Sequence, residues 1–475
     1  MNHKMTQYRW SICALLFFAT TINYLDRQVL SLTWTDWIQP EFHWTNSNYG
    51  DITSIFSLAY AVSMLFAGRF VDWLGTRKGF LWAIGIWSVG ACIHALCGIG
   101  TAGIVTGKWT LGFEGAKEAL GTVQDITKIT TVSVTLFIFS RIVLALGEAG
   151  NFPAAIKATA EYFPKKARGF ATSIFNAGAT IGALAAPLTI PVIARSYGWE
   201  MAFIIIGALG FVWMGFWVFM YKKPEVHPRV NELELAYIQQ DDHIHEAEKI
   251  DHSRKIPFLK ILGYKQTWAF AVGKFMTDGV WWFFLFWTPA YLKSVYQLDS
   301  LQSRPQIFTL YLITLLSIIG GWLPTYFIEK KHMDPYAGRM KSMLIFAFFP
   351  LLGLLAQPLG AYSVWIPVII IGIAGAAHQA WSANIFSTIG DMFPKSAIAT
   401  VTGIGGMAGG IGSYLINKGS GKLFDFATNT QMKFMGFEGI KAGYFIIFSI
   451  CAVAYLIGWT IMKSLVPRYK PITDL

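Results

Sequence analysis

The stretch GRFVDWLGTRKG, residues 68–79, follows an apolar run and ends in two cations. Gly68 lacks a side chain and would let another helix approach closely. Gly75 permits a tight turn. Asp72 can accept hydrogen bonds or face the positive end of a helix in another part of the chain. Such a contact would hold one conformation and break in another, so the sequence predicts a hinge or gate between two membrane helices.

The composition extends this prediction to the whole chain. Of the 475 residues, 54% are hydrophobic and 14% are charged. A window of about 20 residues, enough to cross ~30 Å of hydrocarbon, finds two sets of six apolar segments. They are 10–32, 50–71, 79–98, 133–156, 170–194 and 199–221, then 268–292, 306–327, 342–360, 364–387, 399–419 and 443–462.

The sequence therefore predicts an all-α membrane protein with twelve transmembrane helices in two six-helix halves. The predicted units are an N-terminal half at residues 1–221, a polar linker at 222–266 and a C-terminal half at 267–475. This layout is typical of transporters whose halves rock about a site near the membrane midplane. A channel or a membrane enzyme is also compatible with the number of spans alone.

The net charge of +11 has a topological explanation. Arg77, Lys78, Lys222 and Lys223 are among the cations that fall on one predicted side of the membrane, whereas the loop 33–48 has no Lys or Arg. Cytoplasmic loops carry the excess of Lys and Arg. We therefore expect both termini in the cytoplasm and no nucleic acid partner. An alternative explanation for Arg77 and Lys78 is that they only set the orientation of the chain in the membrane.

The chain offers little for metal or cofactor chemistry. Its four cysteines lie in apolar runs, where a thiol behaves as a small hydrophobe. The four histidines of residues 222–266 are scattered among acidic residues without metal-ligand spacing. The glycine-rich run at 403–412 lacks the Lys-Ser/Thr ending of a phosphate loop, so we predict close helix packing there. No metal site, cofactor or enzyme activity is expected.

Two connections on the predicted outer side, 99–131 and 420–442, are longer than a tight hairpin requires. Their Gly, Lys and Glu content indicates small amphipathic additions. No function is assigned to them.

Charged residues inside two predicted spans are the strongest functional signal. Asp26 and Arg27 lie in the first span, and Arg141 and Glu148 lie two helical turns apart in the fourth, with Asn151 one turn further. A charge at the bilayer centre costs at least ~2.5–3.5 kcal/mol, so such residues face partners or a polar cavity. Two cations and two carboxylates can neutralise one another, and we predict that they form a switch.

The seventh span carries a second set of polar and aromatic residues. Lys274 and Asp278 are spaced i, i+4, which favours a self-satisfied structural ion pair over a substrate contact. Trp282 could stack on a sugar ring, or it could pack against lipid.

Further candidates lie in other spans. His378 and Gln379 interrupt the apolar tenth span, where they could contact substrate hydroxyls, although a lone histidine can also be a hydrogen-bonded packing residue. Tyr60 in the second span and Asn176 in the fifth are candidate hydroxyl partners by the same argument. Packing is an equally good explanation for these two.

Several stretches together resemble one family. The pattern G-x-x-x-D-x-x-G-x-R-K of residues 68–79 is similar to the loop between helices two and three of the major facilitator superfamily. The more specific stretches are NYLDR at 23–27, the run 141–169, FNAGATIGALAAP at 175–187, MAFIIIGALGFVW at 201–213, WWFFLFWTPAYL at 281–292 and AAHQA at 376–380. They resemble the bacterial sugar-acid branch of its anion:cation symporter family over essentially the whole chain.

The resemblance implies roles for individual residues. The acids Asp26 and Glu148 would take up protons, and Arg27 or Arg141 would meet the substrate carboxylate. The other predicted substrate contacts are Tyr24, Tyr60, Asn176, Trp282, His378 and Gln379. The predicted gating motif is Gly68, Asp72, Gly75, Arg77 and Lys78. The long connections 99–131 and 420–442 depart from the commoner compact pattern of the family.

The expected function is proton-coupled import of a hexuronate such as glucuronate or galacturonate. The expected setting is the bacterial inner membrane, where the chain works as a monomer with the lipid bilayer, protons and a small organic anion as partners. The alternatives are transport of another organic anion, such as an aldonate or an aromatic acid, and a sensor derived from a transporter. The sequence does not specify the sugar acid, the proton stoichiometry or whether sodium replaces the proton.

Overall fold

The computed structural model describes residues 4–109, 112–240 and 258–472, which are almost entirely helical. The first half begins with α1 (Tyr8–Thr33), a π-helical turn (Trp34–Ile38), α2 (Gln39–Phe42), α3 (Asn46–Leu74) and α4 (Thr76–Thr106). It continues with α5 (Phe113–Gly121), α6 (Ile126–Glu148), α7 (Asn151–Tyr162), α8 (Lys165–Tyr197) and α9 (Trp199–Met220). The pair α6 and α7 forms one path across the bundle, so this half contains six long helical paths.

A short polar segment follows, with a 3₁₀ turn (Pro224–Val226), α10 (Glu232–Ile238) and α11 (Phe258–Leu262). The second half begins with α12 (Lys265–Tyr296), α13 (Arg304–Thr314), α14 (Ile319–Thr325), α15 (Pro335–Phe348) and α16 (Gly353–Gly360). It ends with α17 (Trp365–Met392), α18 (Lys395–Asn429), a hairpin of β1 (Lys433–Phe434) and β2 (Phe437–Glu438), and α19 (Ile440–Leu465). Short 3₁₀ turns join α13 to α14 and α15 to α16, which again gives six paths.

Nine of the helical paths in the described ranges are long and apolar enough to cross a membrane by length and composition alone. The other three, α1, α12 and α18, have 26, 32 and 35 residues, so their length suffices. They are less apolar because they bury polar residues, such as Arg27 in α1, Lys274 in α12 and Asn417 in α18. The twelve predicted spans thus correspond to twelve helical paths in two sets of six.

The first and last described residues lie at the same end of the bundle as the connection between the halves. Thr6 Oγ1 lies 3.1 Å from Asn231 Oδ1, and Gln266 Nε2 donates to the carbonyl of Lys470 at 2.8 Å. We call this the linker end and the opposite one the distal end. The first and last described residues thus lie on one side, and the location of both termini in the cytoplasm stays a prediction.

Several polar contacts join the two halves at the distal end. The carboxylate of Asp425 in α18 accepts hydrogen bonds from the backbone N–H groups of Asn46 and Ser47 at 2.9 and 2.7 Å, and from Asn46 Nδ2 at 3.0 Å. Two ion pairs also cross between the halves, Asp36–Lys293 at 3.0 Å and Asp51–Lys418 at 3.3 Å. The distal side is therefore held closed by charge-assisted contacts.

A glycine brings two helices of the first half close enough to position the fourth path. A Cβ added to Gly147 would lie 2.2 Å from the backbone nitrogen of Trp87 in α4, so only glycine fits there. Glu148 is the next residue and ends α6. The close approach of the α4 and α6 backbones therefore positions the Glu148 side chain. A larger residue at position 147 would prevent this approach.

The segment after α9 is fixed to the start of the chain. The carboxylate of Glu234 in α10 accepts hydrogen bonds from the backbone N–H groups of Tyr8 and Arg9, both at 3.0 Å, and pairs with the Arg9 guanidinium at 3.0 Å. His227 stacks on Tyr8 with ring centroids 4.1 Å apart. The other three histidines of the predicted linker lie outside the described residues, and the limits 222–266 stay a prediction.

The two long distal connections form compact additions. The first contains the helix α5, and the second contains the hairpin of β1 and β2 with Lys433 paired to Glu438. Phe437 of the hairpin packs on Phe445 of α19, with ring centroids 5.0 Å apart. Both additions thus stay close to the helices that they connect.

Candidate functional site

The central feature of the site is an ion pair between the first and fourth helical paths. Arg27 donates from Nη2 and Nε to the same carboxylate oxygen of Glu148, at 2.6 and 2.9 Å. Both side chains are buried, with exposures of 4% and 0%. An ion pair removed from water persists only with good geometry and further hydrogen bonds. The predicted neutralisation between these two paths is therefore present in the structure.

Aromatic rings from both halves surround the Arg27 guanidinium. Its Cζ lies 5.0 Å from the ring centroid of Tyr24, 4.9 Å from that of Tyr60 and 4.9 Å from that of Trp282. Ring faces attract a cation at this distance, and the guanidinium stacks on them. Tyr24 and Tyr60 belong to the first half and Trp282 to the second. The structure thus brings three of the predicted substrate contacts together around a fourth, the cation Arg27.

Asp26, Asn151 and part of the Arg141 guanidinium are buried in this region with unsatisfied polar atoms. Among the described residues, no group makes a hydrogen bond to either carboxylate oxygen of Asp26, to the side chain of Asn151, or to Nε and Nη1 of Arg141. Arg141 Cζ lies 5.3 Å from the ring centroid of Phe56. Buried polar groups are normally hydrogen-bonded. The unpartnered atoms of this cluster are therefore free to bind a ligand or a proton beside the Arg27–Glu148 pair.

In the second half, Lys274 and Asp278 form the predicted ion pair. Lys274 Nζ lies 2.8 Å from Asp278 Oδ2, and the side chains are 7% and 14% exposed. The Lys274 ammonium also lies 4.6 Å from the ring centroid of Phe386 in α17. The pair therefore packs within the second half, and both side chains are largely buried.

His378 and Gln379 occupy different environments. The His378 ring lies parallel to that of Trp281 at 5.6 Å, and its Nδ1 lies 2.8 Å from the hydroxyl of Tyr455. This arrangement corresponds to the hydrogen-bonded packing role, which was the predicted alternative to a substrate contact by His378. Gln379 is half-buried, and Asn176 is exposed on α8. The substrate contacts of these three residues stay predictions.

The gating motif shows the predicted turn, whereas two of its predicted contacts are not made in this conformation and stay predictions. Gly75 has φ +79°, the left-handed conformation that favours glycine at a tight turn. Asp72 pairs with Lys157 of its own half at 2.8 Å, so the predicted contact with the opposite half is absent in this conformation. A Cβ added to Gly68 would meet nothing within 4 Å, so the expected close helix approach is absent too.

The physical reason for these differences is that the halves meet at the distal end, while the motif lies at the linker end. There, a cavity of about 660 Å³ lies between the loop, α7 and the segment after α9, and no described residue of the second half lines it. It is lined in part by Asp72, Gly75, Arg77, Lys78, Lys157 and Lys222. Arg77 donates to the carbonyl of Val218 at 2.8 Å, so it also fixes α9 to the loop.

The distal contacts were not identified from the sequence. Asp36, Asp51 and Asp425 all occur near predicted span ends on the side that is poor in Lys and Arg, and this is the signal that could have revealed them. The partner of His378, Tyr455, gave no comparable signal because it lies in an otherwise apolar span. In the described part of the chain, no group of three or more His, Cys, Asp or Glu side chains could hold a metal ion.

Comparisons with known proteins agree with the architecture. A sequence profile of the Major Facilitator Superfamily matches residues 16–416. The hexuronate transporter of Escherichia coli K12 is 27% identical over 477 residues, covering 97% of this chain and 95% of that one. A probable galactarate/D-glucarate transporter of the same organism is 26% identical over 340 residues, covering 69% of each chain.

A solved structure shows the same fold. It is a bacterial homologue of the human lysosomal transporter Spinster in an inward-facing and occupied conformation, and it superposes with a TM-score of 0.68. The sequences are 18% identical, and the match covers 98% of this chain and 99% of that one. Fold, spans and sequence profile agree, and the relatives are transporters rather than enzymes. The chain therefore belongs to the major facilitator superfamily of membrane transporters.

Proposed function

We propose that the protein is a proton-coupled symporter that imports a sugar acid, most simply a hexuronate, across the bacterial inner membrane. The observation that carries this proposal is the buried Arg27–Glu148 pair, enclosed by Tyr24, Tyr60 and Trp282. An arginine binds a carboxylate through two parallel hydrogen bonds, and aromatic faces pack against the apolar faces of a sugar. The site therefore has a cation that can bind the carboxylate of a sugar acid and aromatic rings that can pack against its sugar ring.

The pair also suggests how protons are coupled to the substrate. In this conformation Glu148 occupies two of the donors of Arg27. A substrate carboxylate must compete with Glu148 for that cation. Protonation of Glu148 removes its negative charge and releases Arg27, so proton binding favours anion binding. Asp26, buried and without a direct hydrogen-bond partner in the described chain, is the second proposed proton acceptor.

The charge that crosses the membrane supports a stoichiometry of more than one proton for each imported substrate. Each net charge that crosses the membrane changes the free energy by about 2.3 kcal/mol per 100 mV. Import of a monoanion into a negative interior is therefore driven by the potential only if at least two protons accompany it. Glu148 and Asp26 provide the two carboxylates required. The protein needs no bound cofactor in this scheme and works as a monomer.

Uptake into proteoliposomes tests the proposal. We expect labelled galacturonate or glucuronate to accumulate when the outside is acidified and the interior is negative. Counterflow without a gradient separates binding and exchange from coupling. Accumulation of an aldonate or an aromatic acid, with no uptake of hexuronate, would favour transport of another organic anion. Binding without any uptake would favour a sensor.

A further inference from the structure

A group of polar side chains lies inside the first half, away from the substrate site. Its members belong to α1, α4, α6 and α7, and each is 2% exposed or less: Asn23, Asp26, Ser88, His94, Arg141 and Asn151. We call these residues the interior cluster. In the part of the chain that the structure describes, each has at least one side-chain nitrogen or oxygen without a hydrogen-bond partner. Such buried atoms are costly, so the cluster requires partners other than protein groups.

Asp26 faces the interior of its own half. Arg27 points toward the substrate site, where it lies beside Trp282 of the second half. Successive residues of a helix point about 100° apart, so Asp26 is turned away from that position. It is close enough to Cys92 of α4 for an electrostatic interaction, and it is 1% exposed. A proton bound to Asp26 is therefore separated from the substrate by the Arg27–Glu148 pair.

Glu148 connects the substrate site to the interior cluster through its two carboxylate oxygens. Oε2 accepts both hydrogen bonds from Arg27, at 2.6 and 2.9 Å. Oε1 is buried and has no partner among the described groups. Asp26 interacts electrostatically with Glu148, but no hydrogen bond within the described chain joins the two carboxyl groups. A proton that moves from Glu148 to Asp26 must therefore pass through other groups.

His94 and Arg141 face each other at one level of the bundle. A Cβ added to Gly90 of α4 would lie 2.6 Å from the backbone nitrogen of Leu144 in α6. His94 is one turn from Gly90 and Arg141 is one turn from Leu144, and both turns lead toward the distal end because the two helices are antiparallel. His94 Nδ1 lies 2.7 Å from the carbonyl oxygen of Gly90, which leaves Nε2 as an acceptor. A water between them can accept from Arg141 and donate to His94.

Small residues leave room between the polar groups. Ala91 is 1% exposed and lies one turn from each of the two cluster residues of α4. Ala145 is fully buried and lies one turn from both Arg141 and Glu148. A buried water requires a space of its own size and makes about three hydrogen bonds, so several waters satisfy the cluster.

Apolar rings close this region toward both ends of the bundle. On the distal side, the His94 ring lies parallel to that of Phe203 in α9, with centroids 4.8 Å apart. On the linker side, Phe80 of α4 packs on Trp213 of α9, with centroids 5.0 Å apart. All of these rings are buried. Water between the two layers is therefore enclosed, and its contact with the substrate site is the carboxylate of the central ion pair.

We propose that the interior cluster binds an enclosed group of water molecules that relays a proton between Glu148 and Asp26. The inference rests on the proposed function, because it assumes that these two carboxylates carry the coupled protons. In the relay, Glu148 gives its proton to one water, and another water gives a proton to the Asp26 carboxylate. Glu148 returns to Arg27 as an anion, and the total charge is unchanged. Glu148 can then bind the second proton, which releases Arg27 for the substrate.

A density map of the purified protein that shows ordered waters tests the site directly. We expect waters at about 2.7–3.2 Å from polar atoms of Asp26, His94 and Asn151. A dry interior, in which the side chains pair with one another instead, would overturn the relay and leave the proposed function intact. Proton-driven uptake that also requires sodium would assign the cluster to a cation and contradict the proposal. A wet interior in a protein that takes up no organic anion would overturn the proposed function itself.

Asn151→Leu removes two polar atoms from the cluster at nearly constant volume. We expect proton-driven uptake of hexuronate into proteoliposomes to fall by at least about tenfold, the effect of one or two lost hydrogen bonds. Counterflow requires no net proton movement and should change by less than about threefold. Asn151→Ser keeps a hydroxyl group and leaves room for water, so it should retain most of the uptake. Asn429→Leu, the same substitution at an exposed position of α18, is the matched control and should leave both activities unchanged.

A role of Asn151 in packing alone gives a different pattern. Uptake and counterflow would then fall together in Asn151→Leu, or neither would change, and both results contradict the relay. Counterflow also serves as the check that the variant is folded. If Asn151→Leu does not fold, Asn23→Leu takes its place, because Asn23 lies one turn from Asp26 on α1 and the same separation of the two activities is expected. The density map of the unmodified protein decides independently of either variant.

Discussion

Trp282 of the second half lies with its ring centroid 4.9 Å from Cζ of Arg27 in the first half. The contact crosses the boundary between the halves at the position where an anion is proposed to bind. A ligand that displaces or extends this contact changes how the halves are held together. Occupation of the site and closure of the site are therefore linked through one arginine and one indole.

Arg27→Lys tests the carboxylate contact directly. Lysine keeps the charge but lacks the planar fork that makes two parallel hydrogen bonds. Loss of one charge-assisted bond in a dehydrated site costs about 1.5–3 kcal/mol, or roughly ten- to a hundredfold in affinity. We expect a weakened dissociation constant for hexuronate in titrations of the purified variant. Arg304→Lys at the distal end is the control, and an unchanged constant for Arg27→Lys would assign Arg27 to charge balance only.

Glu148→Gln tests the proton coupling. Glutamine resembles the protonated carboxyl group and cannot lose a proton, so the variant mimics one state of the cycle. We expect exchange of labelled substrate across the membrane to continue and accumulation driven by a proton gradient to be lost. Glu114→Gln, an exposed acid of α5, should accumulate normally. Full gradient-driven accumulation by Glu148→Gln would exclude Glu148 from coupling.

Asp425→Ala tests the distal closure. The variant removes the acceptor of three hydrogen bonds to Asn46 and Ser47 across the halves. Each bond to a charged acceptor contributes about 1.5–3 kcal/mol, so we expect a larger population that is open at the distal end. Spin labels on the exposed residues Thr122 and Thr430, one from each half, should then report longer distances. An unchanged distance distribution would show that the remaining contacts suffice, and this result would contradict the prediction.

Glu41→Gln tests a pH effect outside the membrane spans. Burial raises the pKa of Glu41 from 4.5 to about 7, against the opposing hydrogen bond from Trp199 Nε1 at 2.8 Å. Because the pKa is raised, the stability linked to the protonated group is fully present below pH 4.5 and is lost as the pH rises through about 7.

The expected loss is at most about 3.4 kcal/mol, which corresponds to about 2.5 pKa units. Thermal unfolding of the purified protein between pH 4 and 8 should show it as a falling midpoint. The Glu41→Gln variant should have a flatter pH profile over this range. Profiles of identical slope would place the titrating group elsewhere.

The local features of the fold could be predicted because they depend on neighbouring residues. Hydropathy over about 20 residues located the spans, and the glycine requirement at position 75 followed from a short turn. The face shared by Arg141 and Glu148 followed from helical periodicity. The pairing of the first and fourth paths was predicted from charge balance, and the Arg27–Glu148 contact confirms it.

The choice of partners could not be predicted, because it depends on how each helix is rotated about its axis. Asp26 and Arg27 are adjacent in sequence but point about 100° apart on a helix, so one contacts Glu148 and the other does not. Asp72 was expected to accept hydrogen bonds or to contact the opposite half in one state, and here it pairs with Lys157 because the conformation decides which partner is within range. The distal contacts of Asp425 join residues almost 380 positions apart, and no local pattern encodes such a distance.

The distal ion pairs have a consequence for the salt concentration around the protein. Asp36–Lys293 and Asp51–Lys418 are partly exposed, with side-chain exposures from 11% to 40%. Dissolved ions screen exposed charges over a Debye length of about 8–10 Å at physiological ionic strength, and they screen buried pairs much less. A more saline medium on the distal side therefore weakens the closure on that side while leaving Arg27–Glu148 intact. The equilibrium between the conformation that is closed at the distal end and the one that is open there thus depends more on the ionic strength on the distal side than on the ionic strength on the linker side.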